Sequence, residues 1–227
     1  MSAVLPTASR THSPQKGQRS RDFRSAVLAG LGWCALALVL FLAALPARAE
    51  TREAIFAGGC FWCMEPPYDA TEGVIATTSG FIGGHLDDPS YDQVVRGETG
   101  HTEAVRVEYD PEVVSYESLL HIFWRNIDPL ARDRQFCDVG EMYRSGIFYL
   151  DESQREAALD SRQELEESGR FDEPIATEIT EAGTFWPAEE YHQGYYRDNA
   201  LRYRLYRWRC GRDARLEELW GDEAGGL

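Results

Sequence analysis

Hydrophobic and polar positions divide the chain from residue 52 onward into short elements. Ala54 to Ala57 is a brief apolar run fit for a strand, and Phe61 to Tyr68 has helix-compatible spacing until Pro66-Pro67 cuts it. Gly73 to Ser79 is rich in β-branched residues and predicts a strand, which Gly80-Phe81-Ile82-Gly83-Gly84-His85 ends in a flexible loop. Between Gly100 and Tyr109 apolar and polar residues alternate, as in a half-buried strand, until Asp110-Pro111 stops it. Ser115 to Trp124 has helical spacing with Ser115 as its cap. Further on, the pattern predicts a strand at Gly146 to Leu150, a helix from Glu152 to Glu167 ended at Gly169, and a strand at Ile175 to Ile179. The order β-α-β-β-α-β points to an α+β fold, a two-layer sandwich of the split β-α-β (ferredoxin-like) kind with extended loops and a C-terminal tail.

The amino-terminal end has another character. Residues 1–24 are polar and basic, with Arg10, Lys16, Arg19, Arg21 and Arg24, and Ala26 to Leu45 then runs without charge to Ala47-Arg48-Ala49. Basic flank, apolar run and small-x-small end predict a signal peptide over 1–49, cut after Ala49, which makes the protein exported and periplasmic. The apolar run is also about the length of a membrane span, so an uncleaved anchor is the alternative. Trp33 before Cys34 argues against lipidation, and the absence of a twin arginine favours the general secretory route. Residues 50–227 are then one catalytic domain. The full chain carries a net charge of −15; residues 1–49 hold six basic side chains against one acid, so the remainder carries −20 and contains no lysine. Such acidity excludes nucleic acid as a partner, because like charges repel.

Four cysteines follow the leader: Cys60, Cys63, Cys137 and Cys210. In an oxidising compartment four cysteines can be two structural disulfides, but a domain of this size does not need them, which favours chemistry. The stretch Gly58-Gly59-Cys60-Phe61-Trp62-Cys63-Met64-Glu65 puts Cys60 where strand turns into helix. There the free amides and the positive end of the helix dipole favour a thiolate, so Cys60 is expected to be a nucleophile near neutral pH. Cys63, one turn later, lies on the same face and within disulfide reach. A Cys-x-x-Cys is also half a zinc site, but no second ligand pair accompanies it, so no metal is expected. A thioredoxin-like redox motif is the other reading, against which stand the bulk of Phe61-Trp62 and the early break at Pro66-Pro67.

Several stretches together resemble the A-type peptide-methionine sulfoxide reductases: Gly59-Cys60-Phe61-Trp62, Gly83-Gly84, the run Gly100-His101-Thr102-Glu103-Ala104-Val105, Asp138 with Gly140 and Tyr143-Arg144-Ser145, and Ala188-Glu189-Glu190-Tyr191-His192-Gln193. They cover most of residues 52–196 in the expected order. The resemblance implies reduction of methionine S-sulfoxide, free or in oxidised proteins, by a monomer that needs no metal or organic cofactor and is recycled by an external, thioredoxin-like dithiol. It makes Cys60 the nucleophile and Glu103 the acid that protonates the sulfoxide oxygen, with a raised pKa if buried. Phe61 and Trp62 become the walls of a pocket for the sulfoxide methyl group, and Tyr91, Asp138 and Tyr143 hydrogen-bonding partners of the oxygen and of ordered water. The commonest family pattern has glycine at the place of Cys63 and glutamine at that of Met142, and puts resolving cysteines near the carboxyl terminus. Cys63 and Cys210, the latter in a mobile tail, therefore rank level as resolving cysteines, with Cys137 a packed thiol. Two readings without the reductase remain: a general thiol-disulfide oxidoreductase, which needs no Glu103, and a non-catalytic binder of oxidised methionine.

Overall fold

The computed structural model describes residues 51–226; the predicted leader lies outside the described residues. Strand β1 (Arg52–Gly58) leads into helix α1 (Phe61–Asp69), followed by β2 (Val74–Ile82), the short α2 (Tyr91–Val95), β3 (Thr102–Tyr109) and α3 (Tyr116–Arg125). Next come the two-residue strands β4 (Arg134–Gln135) and β5 (Asp138–Val139), then β6 (Ser145–Tyr149), α4 (Glu152–Glu167), β7 (Glu178–Glu181) and β8 (Trp186–Pro187). Three helices close the chain: α5 (Tyr195–Asp198), α6 (Ala200–Cys210) and α7 (Arg212–Trp220). The main sheet has the order β7-β6-β1-β3-β2-β8. Its centre, β6-β1-β3-β2, is antiparallel throughout and has the strand order of the expected split β-α-β sandwich. To this, β7 adds a parallel edge beyond β6, after the α4 crossover, and β8 an antiparallel edge beside β2.

Alternation along β1 shows how the sheet is covered. Ala54 and Phe56 point into the main core, where the Phe56 ring stacks on Tyr68 of α1 and Phe123 of α3, each at 5.3 Å between centroids. Ile55 and Ala57 point the other way, into a smaller cluster with Ile82, Ala104 and Phe148 that Ala182 and Phe185 cover. The cap expected at α3 is present, Ser115 Oγ accepting the Ser118 amide at 3.2 Å.

Four expectations need correction. Gly80 to Ile82 continue β2 and are buried, because they pair with Glu103 and its neighbours on one side and Pro187 on the other. Helix α1 runs through Pro66 and Pro67 to Asp69; proline removes an N–H donor, but so near the helix end only the Trp62 and Cys63 carbonyls lose a helical partner. The strand after α4 sits at Glu178–Glu181, three residues later than the periodicity suggested. The carboxyl-terminal segment is helical and docked: the Gly225 amide donates to the Arg125 carbonyl at 3.0 Å, and Asn126 Nδ2 donates to the Gly225 carbonyl at 2.8 Å. The C-terminal tail expected to be mobile is therefore held down as far as the structure describes it. Among the described residues no helix is long and apolar enough to cross a membrane.

Candidate active site

Everything at the site follows from the turn between β1 and α1. Gly59 has φ +79°, and a side chain there would meet Gln135 Cβ at 2.4 Å, so only glycine lets the chain turn this tightly. Cys60 takes the N-cap position of α1 and has no side-chain capping bond, leaving its thiol free for other contacts. The first helical amide is used in another way: Phe61 N–H donates to Glu103 Oε2 at 3.0 Å. β3 thereby delivers the carboxyl of Glu103, 1 % exposed, to the start of the cysteine helix. Burial pushes the Glu103 carboxyl up to about 8, further raised by Asp138 and Cys63 and opposed by the Phe61 amide. At neutral pH it is a buried acid holding its proton.

Cys60 and Cys63 are both buried and reduced, and the Cys63 amide donates to the Cys60 carbonyl at 2.9 Å. Against the expected ionisation of Cys60 near neutral pH stands its burial. Its thiol is pushed up, first by burial and then by Cys63, while Cys63 is pulled down to about 6 by the Cys60 hydrogen bond and by Arg212 and Arg207. The N-terminal helix charge is there, but desolvation of Cys60 outweighs it. The two thiols thus titrate as a pair that holds one proton and one negative charge at neutral pH.

Around the pair stands an aromatic wall. Trp62, Tyr143, Tyr195 and Tyr206 pack against the two cysteines together with buried Tyr203. Trp62 stacks on Tyr195 at 3.8 Å and meets Tyr206 in a T-shaped arrangement at 6.2 Å. Phe61 is buried against His192 at 5.1 Å, and Tyr91 meets the same imidazole at 4.3 Å. His192 is 2 % exposed and neither ring nitrogen has a protein partner; burial lowers its pKa, so it is neutral. Half-buried Tyr91 and Tyr143 have their hydroxyls pushed up by burial and then by Glu103, so both remain hydrogen-bond donors. Asp138 is half-buried, raised by burial, and accepts a short hydrogen bond from the Tyr206 hydroxyl.

All nine predicted site residues are therefore at or beside this centre, Cys210 Sγ lying 3.9 Å from Asp138 Oδ2, but the reading of Cys210 is corrected. Cys210 is joined to Cys137 in a disulfide, with Cα atoms 4.9 Å apart. Cys137 is exposed, so it is no packed thiol, and Cys210 ends a docked helix, so it is on no mobile tail. The disulfide ties the Phe136–Asp138 loop to α6. Cys137, Asp138 and Cys210 are close enough to suggest a metal site, but the disulfide leaves no thiolate to ligate one. The reading also missed the tail side chains Tyr203, Tyr206, Arg207 and Arg212. Tyr203, Tyr206 and Cys210 stand at i, i+3 and i+7, the spacing of one helical face, and that was the available signal.

A family model described as peptide methionine sulfoxide reductase matches residues 52–224. The chain belongs to the peptide methionine sulfoxide reductase family. As a member of it, the protein is an oxidoreductase of the methionine sulfoxide reductase class. Among its relatives, the peptide methionine sulfoxide reductase MsrA of Bacillus licheniformis is 50% identical over 174 residues, 76% of this chain and 96% of the relative. MsrA 1 of Lactococcus lactis is 53% identical over 154 residues, 68% of this chain and 84% of the relative. Among solved structures, methionine sulfoxide reductase A of Corynebacterium diphtheriae superposes with a TM-score of 0.60 at 32% identity, covering 69% of this chain and 79% of that one. Reduced Mxr1 of Saccharomyces cerevisiae superposes at 0.63 with 29% identity, covering 68% and 88%. The reductase fold of these structures is that of the β1-to-β8 sheet and its helices.

Proposed function

We propose that the protein reduces methionine S-sulfoxide, free and within proteins, by attack of Cys60 on the sulfoxide sulfur with Glu103 as the acid. One observation carries this reading: a buried carboxyl that keeps its proton near neutral pH hangs on the first amide of the helix that begins at the thiol pair. A sulfoxide oxygen leaves poorly unless protonated, and Glu103 is the proton source within reach. As the substrate sulfur approaches, the proton of Cys60 passes to Cys63, and the charge passes to Cys60. Its thiolate forms the new S–S contact while Glu103 protonates the oxygen. Tyr91 and Tyr143 donate to that oxygen, and Phe61 and Trp62 enclose the methyl group.

Collapse transfers the oxygen to Cys60 as a sulfenic acid and releases methionine. Cys63 then attacks the sulfenic sulfur, water leaves, and a Cys60–Cys63 disulfide forms. Its closeness to Cys60, and the engagement of Cys210 with Cys137, favour Cys63 for this role. An external thioredoxin-like dithiol returns the pair to thiols, becoming a disulfide itself. The chain's net charge of −15 supports protein partners over nucleic acid.

The reaction takes place outside the cytoplasm in our reading, residues 1–49 being the export signal or an anchor. The cross-linked Cys137–Cys210 pair suits an oxidising compartment, independently of the leader. Sequencing the amino terminus of protein recovered from periplasmic and membrane fractions tests this; full-length protein confined to the cytosol would contradict it. The activity itself is tested by turnover of the S and R epimers with dithiothreitol, beside Cys60→Ser. Activity on S alone, absent in Cys60→Ser, is expected. Turnover of neither epimer by folded, reduced protein would overturn the reading.

A further inference from the structure

Arg212, at the first position of α7, is 1 % exposed, yet it has no carboxylate partner among the described residues. Arg207 and Arg215, one on each side of it in the sequence, do, pairing with Asp213 and Asp128. Instead, Arg212 Nη2 donates to the carbonyls of Gly58 at 3.1 Å and Asn126 at 2.7 Å and approaches Met64 Sδ at 3.0 Å. The guanidinium lies 4.4 Å over the Phe136 ring, and Nε is buried without any partner. Carbonyls, a thioether and a ring are dipoles, not counter-charges. Burying a cation on those terms carries a desolvation cost that a glutamine or methionine of similar shape would avoid. Something at this place returns that cost.

The contacts say where the charge is directed. Gly58 ends β1 and Met64 follows Cys63 in α1, so Arg212 grips both sides of the turn that carries the two cysteines. We propose that Arg212 is a positioning residue of the thiol pair: its guanidinium is the buried counter-charge of the thiolate that Cys60 and Cys63 share, and its hydrogen bonds fix the turn on which they sit. The proposal rests on reading that pair as the reactive centre. Other charges face the pair. Glu103 from β3 and Asp138 from β5 oppose a thiolate, the first being protonated near neutral pH. Arg207 from α6 favours one, but it is less buried and committed to Asp213. Tyr91 from α2, Tyr143 before β6, and Tyr203 and Tyr206 from α6 stay neutral, as does His192. Among the cations, Arg212 is the one with no other anion to serve.

The test reads the thiols without any sulfoxide, so its outcome is separate from that of the reductase assay. Alkylation of Cys60 and Cys63 by iodoacetamide is followed against pH in the full chain, with the modified residue located by mass spectrometry. Arg212→Gln, shown to be folded, is expected to move the profile upward by about one pH unit, lowering the rate about tenfold at pH 5 and about twofold at pH 7. Arg212→Lys keeps the charge and is expected to stay near wild type. An Arg212→Gln profile that superimposes on wild type, or an equal shift in Arg212→Lys, would overturn the proposal. Should Arg212→Gln not fold, Cys63→Ala supplies the second reading. A thiol whose folded pKa is depressed adds stability above that pKa and loses it as pH falls through it. Cys63→Ala strands the guanidinium, so its cost in thermal stability is expected to be greater at pH 8 than at pH 5. An equal cost at both would overturn the proposal.

Discussion

At the scale of single residues, the account turns on two protons, one shared by Cys60 and Cys63 and one held by Glu103. Attack needs a thiolate, which becomes available as pH rises through about 6, and a protonated Glu103, which is lost as pH rises through about 8. The rate of methionine formation is therefore expected to be bell-shaped with its summit between those values. Stability carries a second signature of the same carboxyl. Because burial raises its folded pKa, the protonated form stabilises the fold fully below the unfolded value, and that contribution is lost as pH rises towards about 8. Glu103→Gln removes this loss. Its unfolding free energy should equal wild type near pH 4 and exceed it at pH 8, by on the order of a few kcal/mol. For the resolving step, Cys63→Ser should yield about one methionine per protein and then stop when a thioredoxin-like protein is the sole reductant. Sustained turnover by that variant would move resolution to Cys210 or to the reductant itself.

At the scale of elements, the sequence was legible where local periodicity and chemistry agreed. The alternation from Gly100 to Tyr109 was enough to place Glu103 on a strand, and Gly59-Cys60 was enough to place the thiol at a strand-to-helix turn. Its burial, which makes Glu103 an acid, depends on pairing β3 between β1 and β2, a long-range fact that no window contains. Cys137–Cys210 was illegible for the same reason. Its halves are 73 residues apart, and four cysteines allow three pairings. The tail was read as loose because Tyr, Arg and Trp alternate without a clean apolar face, yet α6 packs on the site through Tyr203 and Tyr206. Replacing both Cys137 and Cys210 with serine frees that helix from the Asp138 loop. The double variant should lose about 2–5 kcal/mol in urea unfolding, in keeping with a cross-link closing a long loop. An unchanged midpoint would mean the helices dock without it.

On the scale of the whole molecule, a central antiparallel sheet of common strand order acquires its function from what is laid across one corner. β1 and α1 bring the thiols, β3 the acid, α2 and the loop before β6 the two tyrosines, and α6 and α7 a roof with a buried cation. These pieces come from five separate stretches of the chain, and only the folded sheet gathers them. The most direct test of that assembly is a single-turnover experiment: reduced protein is mixed with methionine S-sulfoxide without other reductant, and methionine is followed against pH for wild type and Glu103→Gln. The account predicts about one equivalent of methionine from wild type with the bell-shaped profile, and a rate lower by about 10²–10⁴-fold, without the fall near pH 8, in Glu103→Gln. A wild-type rate and profile in folded Glu103→Gln would contradict it.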